Sequence, residues 1–210
     1  MSSRPTLLQS VRDGDVSAVK RLLSADTSLV YTTDEHLKTP LHWAAELDHY
    51  HIAEMLWDAG ADLEAATSWS TRLDWAATMG STRVADLFLA RGAKGMNLVA
   101  AASLGKLDLV RGFLDSDAAL TFPRRVAASD PNDELVADSA RAKGDVVSDA
   151  FYGACRNGHT AVAKLLLERG ADVNAKGVLG GTGLHWTRRT PSRSLRVSPR
   201  KDEWTAMMPD

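Results

Sequence analysis

Residues 38–66 read KTPLHWAAELDHYHIAEMLWDAGADLEAA, and residues 71–93 repeat much of that pattern as TRLDWAATMGSTRVADLFLARGA. Each stretch holds a first apolar segment, LHWAA or LDWAA, then a turn, then a second apolar segment, HIAEMLW or TRVADLFL. Apolar residues spaced three and four positions apart predict two amphipathic helices in each stretch. Trp43 and Trp75 occupy the same place in the two copies, which predicts that one packing niche recurs.

The turn residue between the two helices marks further copies of this unit along the chain. Successive turn residues are 34, 32, 25 and 53 positions apart, and they are Gly14, Asp48, Gly80, Gly105 and Gly158. A pair of short helices cannot bury its own apolar stripe, so neighbouring units must cover one another. Gly60 and Gly170 follow the second helix of their units, where glycine can adopt the left-handed conformation that ends a helix.

The signature TPLHWA at residues 39–44 resembles the T-P-L-H-x-A motif of ankyrin repeats. NGHTAVAKLLLERGADVNAKG at 157–177 resembles the second half of such a repeat, and TGLHW at 182–186 opens a further copy. The resemblance covers roughly residues 5–117 and 145–186. It implies an all-α fold, an ankyrin repeat α-solenoid of about five helix pairs plus an incomplete sixth, with one long loop insertion and an irregular C-terminal tail.

The resemblance implies an ankyrin repeat domain over residues 1–186. Its repeats are expected at about 5–37, 38–70, 71–95, 96–120 and 149–181, with a partial repeat at 182–186. Two prolines, scattered charge and weak periodicity predict a surface-loop insertion at about 118–146. The first unit lacks the signature, and Lys20 and Arg21 break its outer stripe, as a terminal repeat facing water should.

The ankyrin pattern stops after Trp186, and the tail at 187–210 carries six Lys or Arg against three Asp or Glu. Serine, proline and arginine without apolar period predict a basic, disordered tail. The fifth helix pair, which includes Val162, Leu165 and Leu166, is then expected to be incompletely covered. This predicts lower stability at that end, or self-association through the uncapped C-terminal repeat.

The composition argues against several classes of partner. The 210-residue chain is 44% hydrophobic and 25% charged, which is ordinary for a globular protein. A formal charge of -2 gives no general attraction to nucleic acid or to an anionic membrane, and neither partner is expected. A single cysteine, no signal-peptide core and no window of about 18 apolar residues predict a cytoplasmic location.

No catalytic residue, cofactor or metal site is predicted. The resemblance implies that His42 and His185 tie the loop backbones of adjacent units, and His49 and His159 begin second helices. Cys155 occupies the slot of a small residue and is expected to be buried rather than nucleophilic.

Two local motifs also have simple structural interpretations. GVLGGTG at 177–183 lacks the ending of a phosphate-binding loop and is interpreted as a hairpin turn. The acidic pairs Asp13 with Asp15 and Asp34 with Glu35 are interpreted as solvated turns, because no partner recurs that would tune them as acid and base.

The leading hypothesis is a non-enzymatic protein–protein interaction scaffold whose protein partner the sequence does not identify. Ankyrin proteins contact partners along the concave face, through hairpin tips and the exposed ends of inner helices. Matching those places gives the candidate partner-binding residues Glu35, His36, Lys38, Glu46, Leu47, Thr67, Ser68, Trp69, Ser70, Thr78, Met79, Ser103, Leu104, Arg156 and Asn157. Trp69 stands where a turn glycine is usual, which predicts either an exposed hot spot or a contact with a neighbouring loop.

Two other hypotheses stay open. The chain could be a truncated or degenerate repeat protein with little activity of its own, as the tail suggests. It could also hold a ligand-binding or enzymatic site in the 118–146 insertion or against the tryptophans, although no nucleophile, base and orienting group converge in the sequence.

Overall fold

The computed structural model describes residues 6–62, 72–116, 143–175 and 182–183. The predicted tail, and the predicted insertion as far as residue 142, lie outside the described residues. Within those ranges the chain is built from helices and turns, without strands. The helices are α1 (Leu7–Arg12), α2 (Val16–Ala25), a 3-10 helix (Thr27–Tyr31), α3 (Pro40–Glu46), α4 (Tyr50–Asp58), α5 (Arg72–Met79), α6 (Thr82–Ala90), α7 (Leu98–Ser103), α8 (Leu107–Asp115), α9 (Lys143–Asn157) and α10 (Thr160–Glu168).

Consecutive helices form five packed pairs, from α1 with α2 to α9 with α10. The residue that connects the two helices of each pair has a positive φ, between +54° and +80°, in all five pairs. These are the five residues that the sequence identified as turns, so the same backbone turn recurs. Asp48 adopts it without being glycine, which costs about 1 kcal/mol. The predicted all-α fold with about five helix pairs is confirmed.

The contacts divide the chain into two compact units. The described part of the first unit is residues 6–62 and 72–96, which hold α1 to α6, and that of the second is residues 97–116, 143–175 and 182–183. In the first unit α3 packs on α1 and α5, while α4 packs on α2 and α6. In the second unit α7 packs on α9, and α8 on α10. Inner helices therefore pack on inner helices and outer on outer, as in stacked repeats.

The core of each unit lies between neighbouring pairs. Leu41 and Leu73, which open the inner helices of two repeats, are 0% and 2% exposed, so both point into the stack as predicted. The alanine pair that follows in each inner helix is also buried, which lets the helices approach closely. Gly60 and Gly170 end the outer helices with φ of +95° and +88°, as the sequence predicted.

The second unit corrects two sequence-based expectations. α9 begins at Lys143, so residues 143–146 of the predicted insertion are helical. Val162 and Leu166 are 2% and 0% exposed, so the expectation of incomplete cover is wrong for them, because α8 and α9 both contact α10. A Cβ placed on Gly183 would lie 3.1 Å from Cys155 Cβ, so the chain returns onto α9 beyond the fifth pair.

Candidate functional site

Asp34 organises the loop that precedes α3. Its Oδ1 accepts hydrogen bonds from the backbone N–H groups of His36 and Lys38, each at 2.9 Å. The backbone N–H of Leu37 donates to the Asp34 carbonyl at 3.0 Å, which closes a tight turn. Asp34 Oδ2 accepts from the indole Nε1 of Trp43 at 2.9 Å, so the turn is tied to the inner helix. We name residues 34–38 the tip.

The interpretation of Asp34 as a turn residue is correct, but its carboxylate is held by hydrogen bonds and is not simply solvated. Its carboxylate is partly buried and receives three N–H donors from the tip and from α3. Desolvation by burial acts to raise the pKa of Asp34, but the hydrogen bonds from Lys38, His36 and Trp43 outweigh it and lower the pKa. The charged form of Asp34 is thus the form that holds the tip.

Two tryptophans and two cations stack along the inner helices of the first unit. Lys38 Nζ lies between the indoles, 4.4 Å from the Trp43 ring centroid and 4.6 Å from that of Trp75. Arg12 Cζ lies 4.3 Å from the Trp43 ring centroid. Glu46 Oε2 accepts from Lys38 Nζ at 2.8 Å and from Trp75 Nε1 at 3.1 Å. We name Arg12, Lys38, Trp43, Glu46 and Trp75 the tryptophan row.

The tryptophan row confirms that Trp43 and Trp75 occupy a recurring niche. Each ring stacks with a cation, and each indole N–H donates to a carboxylate. Cation–π contacts of this kind contribute about 0.5–2 kcal/mol each. Both tryptophans are half-buried, so they pack between repeats and also keep part of their surface open. The row is both a structural element and an available surface.

In the second unit, a close backbone approach replaces the stacked rings. Gly153 stands at the place in α9 that Trp43 holds in α3, and a Cβ there would collide with Ser103 Oγ. The Ser103 carbonyl oxygen lies 2.8 Å from Asn157 Nδ2, which donates to it, and 3.0 Å from His159 Nε2. Ser103 and Leu104, predicted to contact a partner, are each 3% exposed, and that prediction is wrong for their side chains, which pack inside the unit.

The described histidines at the repeat signature and helix starts have structural roles. His42 Nδ1 accepts from the backbone N–H of Thr39 at 3.1 Å, which fixes the start of α3. His49 and His159 stand at the N-terminal caps of α4 and α10, as predicted. Burial lowers the pKa of His159, although its contact with the Ser103 carbonyl opposes that shift. His185 lies outside the described residues.

The other predicted partner-binding residues lie at several depths. The side chains of Glu35 and His36 are 86% and 61% exposed, whereas Lys38 and Glu46 belong to the tryptophan row and are 12% and 23% exposed. The inner-helix ends are half-buried, and their predicted residues are Leu47, Thr78, Met79, Arg156 and Asn157. Thr67, Ser68, Trp69 and Ser70 lie outside the described residues, so their role stays a prediction.

One exposed apolar residue at the tip was not predicted from the sequence. Leu37 is 63% exposed and has a φ of +60°. It precedes the turn residue Asp48 by eleven positions, as Trp69 precedes Gly80. The reasoning that selected Trp69, a large residue where a turn glycine is usual, would have selected Leu37 by register.

The described residues offer little for covalent or metal chemistry. Cys155 is 1% exposed, and burial raises the pKa of its thiol to about 12, so it is the small buried residue that was predicted. In residues 6–62, 72–116, 143–175 and 182–183, no cluster of three or more His, Cys, Asp and Glu side chains could hold a metal ion. No helix in those same ranges has the length and apolar character needed to cross a bilayer.

Comparison with known proteins identifies the repeats. The family model for ankyrin repeats in three copies matches residues 7–97, and the model for a single ankyrin repeat matches residues 150–178. The crystal structure of the human ASB11 ankyrin repeat domain is similar, with a TM-score of 0.52 and 22% identity. The match covers 89% of this chain and 78% of that one, and at this identity it shows the fold alone.

Curated relatives share the repeats over a small part of their length. The transient receptor potential cation channel subfamily A member 1 homolog of Caenorhabditis elegans is 30% identical over 163 residues, which are 74% of this chain and 12% of the relative. Palmitoyltransferase akr1 of Emericella nidulans and that of Aspergillus oryzae are 37% and 39% identical over 59 residues, 28% of this chain. Those 59 residues span 8% of each palmitoyltransferase.

Proposed function

Because the chain belongs to the ankyrin repeat family, we propose that it is a non-enzymatic scaffold that binds another protein. Ankyrin repeats are protein–protein interaction modules. The proposed binding surface is the tip of the first unit together with the inner-helix face that carries the tryptophan row. In the second unit, the inner-helix end at Arg156 and Asn157 is a separate candidate surface.

The observation that carries this proposal is the rigid link between the tip and the tryptophan row. Asp34 holds the tip through two backbone N–H groups and holds Trp43 through its indole. A surface that is already ordered loses less conformational entropy when a partner binds. Tryptophan and arginine, both present in the row, are the residues over-represented at interface hot spots.

The non-enzymatic part of the proposal is supported by how the reactive side chains are used. Cys155 is buried as an uncharged thiol, and His42, His49 and His159 are used at helix starts. The palmitoyltransferase relatives match over 59 residues only, so their activity is not carried over to this chain. We also propose a cytoplasmic location, because the chain has a single cysteine.

The test is affinity capture with the purified chain, followed by binding measurements with each captured protein produced separately. Replacing both Glu35 and His36 with Ala should weaken binding at least tenfold and leave the melting temperature within about 1 °C, because both side chains are exposed. Lys164→Ala, an exposed change on α10, is the matched control and should alter neither quantity.

A second bait lacks residues 187–210 and should capture the same protein, because the tail is not part of the proposed surface. A wild-type chain that captures nothing specific would refute the scaffold function. A captured protein that binds the double variant with unchanged affinity would place the binding surface elsewhere.

A further inference from the structure

We infer that Leu37 is an apolar anchor at the tip, and that it inserts into an apolar pocket bordered by a basic side chain on a partner protein. The inference rests on the proposed function, because it names the residue through which the scaffold would hold its partner. It adds the chemistry that the partner must offer.

The backbone does not account for a leucine at position 37. Its φ of +60° lies in the left-handed region, and among the described residues other than glycine only Asp48 shares that feature. A branched apolar side chain is disfavoured there, whereas glycine or asparagine adopts the conformation at lower cost. The residue type is therefore unfavourable for the turn that it occupies.

The core does not account for Leu37 either. Its side chain is 63% exposed, whereas Leu41 four residues later is fully buried. Leu37 strains its backbone and contributes little to the core of its own unit. Binding a partner would bury the exposed apolar surface of its side chain. Strained residues that the surrounding structure holds in place are typical of ligand-binding elements.

The surrounding structure does hold Leu37 in place. Asp34 Oδ1 accepts from the backbone N–H groups of His36 and Lys38, the two residues on either side of Leu37. The Leu37 N–H itself donates to the Asp34 carbonyl, and the Asp34 N–H donates to the Lys38 carbonyl at 3.1 Å. The side chain is thus presented on a closed turn, as a pre-organised anchor requires.

The charges of the tip define the rim of the partner's pocket. Asp34 and Lys38 interact within the protein, Asp34 with three N–H groups and Lys38 with Glu46 and two indoles. The Glu35 side chain, two residues before Leu37 in the tip, is 86% exposed, and its Oε1 lies 3.7 Å from His36 Nε2. A lysine or arginine at the edge of an apolar pocket would complement this arrangement.

The test compares Leu37→Asn with wild type, using as probe the protein captured by the wild-type chain and then purified. Asparagine tolerates the left-handed turn, so the melting temperature should rise by about 2–4 °C. The dissociation constant should increase at least tenfold, because the apolar contact is lost. Glu35→Gln should weaken binding less and should reduce its dependence on salt.

Leu109→Asn is the matched control, because Leu109 is 43% exposed on α8 of the second unit. It should leave the dissociation constant unchanged. Equal weakening by both substitutions would mean that general surface hydrophobicity drives binding, and this would overturn the assignment. A lower melting temperature for Leu37→Asn would also overturn it, because Leu37 would then stabilise its own fold.

The remaining outcomes separate this inference from the proposed function. If Leu37→Asn binds the probe as tightly as wild type, the anchor is wrong and the scaffold function stands. If the wild-type chain captures nothing, the scaffold function fails and the anchor fails with it. If the pure chain self-associates and Leu37→Asn abolishes this, the pocket belongs to a second copy, and the assignment to a different protein is overturned.

Discussion

Lys38→Met should destabilise the first unit by about 2–3 kcal/mol. Methionine keeps most of the side-chain length and removes the charge that lies between Trp43 and Trp75. Two partly desolvated cation–π contacts contribute about 0.5–2 kcal/mol each. The charge-assisted hydrogen bond to Glu46, at 2.8 Å, contributes about 1.5–3 kcal/mol.

The loss of these contributions is partly offset, because methionine costs less free energy to bury than lysine and packs well against aromatic rings. The Glu46 side chain is 23% exposed, so removing its cation leaves a poorly solvated carboxylate beside Trp75. An unpaired charge in such a place is costly, which favours a net loss over a neutral result.

The assay is urea unfolding followed by tryptophan fluorescence. Four of the six tryptophans lie in residues 1–96, so the signal reports mainly on the first unit. Arg111→Met is the matched control: its pair with Asp108 spans 3.8 Å, the side chains are 57% and 99% exposed, and the expected loss is below about 0.5 kcal/mol. In a double-mutant cycle, Lys38→Met and Glu46→Gln should couple by about 1 kcal/mol or more.

An equal stability of Lys38→Met and wild type would refute this reasoning. The row would then depend on indole packing and not on the cation. If Lys38→Met loses about 2–3 kcal/mol as expected but shows no coupling energy with Glu46→Gln, the cation–π contacts would account for the loss and the ion pair would not.

Three further predictions concern single contacts. Asp34→Ala should cost about 1–3 kcal/mol of unfolding free energy at pH 7 and less at pH 3. Because folding lowers the pKa of Asp34, its stabilisation is present above the unfolded pKa near 3.9 and is lost as the pH falls through the folded pKa. Urea midpoints at both pH values measure the two losses, and equal losses would contradict the prediction. The pKa of His159 is also lowered, so wild type should lose stability as the pH falls below about 6.5. His159→Asn should reduce the slope of unfolding free energy against pH in that range, and an unchanged slope would exclude His159 as the cause. Gly153→Ala should cost about 1–3 kcal/mol by collision with Ser103, and adding Ser103→Gly in a double variant should relieve that loss. Gly112→Ala on α8 has open space around it and should stabilise by up to about 1 kcal/mol. Calorimetric melting of the three single variants and the double variant measures this, and equal effects at the two glycines would count against close packing.

The repeat architecture could be predicted because its signals are local. Gly14, Asp48 and Gly80 take the same left-handed turn, and the chain marks these places with residues that tolerate positive φ. Leu41 and Leu73 are buried because the helical period places them on the covered side of their helices. The burial of Cys155 could be predicted in the same way, because its position in the repeat is that of a small core residue.

The candidate site was predicted in part. Glu35 and His36 were expected at an exposed tip, and the structure places them there. Lys38 was expected there too, but its side chain turns towards Trp43 and Glu46, where two rings and a carboxylate compensate its charge. Leu37 was missed, although its register matches that of Trp69, because the exposure of its side chain and its positive φ are features of the folded backbone.

The sequence by itself determined the period, the helix pairs, the turn positions and the family, because each depends on residues close together in the chain. Only the tertiary structure decided what Asp34, Lys38 and Glu46 do, because their partners come from α3 and from α5 of the next repeat. A repeating sequence predicts that neighbouring repeats pack against each other. Whether a given contact holds an ion pair, a stacked aromatic ring or a glycine depends on which side chains lie opposite each other there. The packing of the helices determines that arrangement of side chains, and the arrangement defines the surface on which a partner would bind.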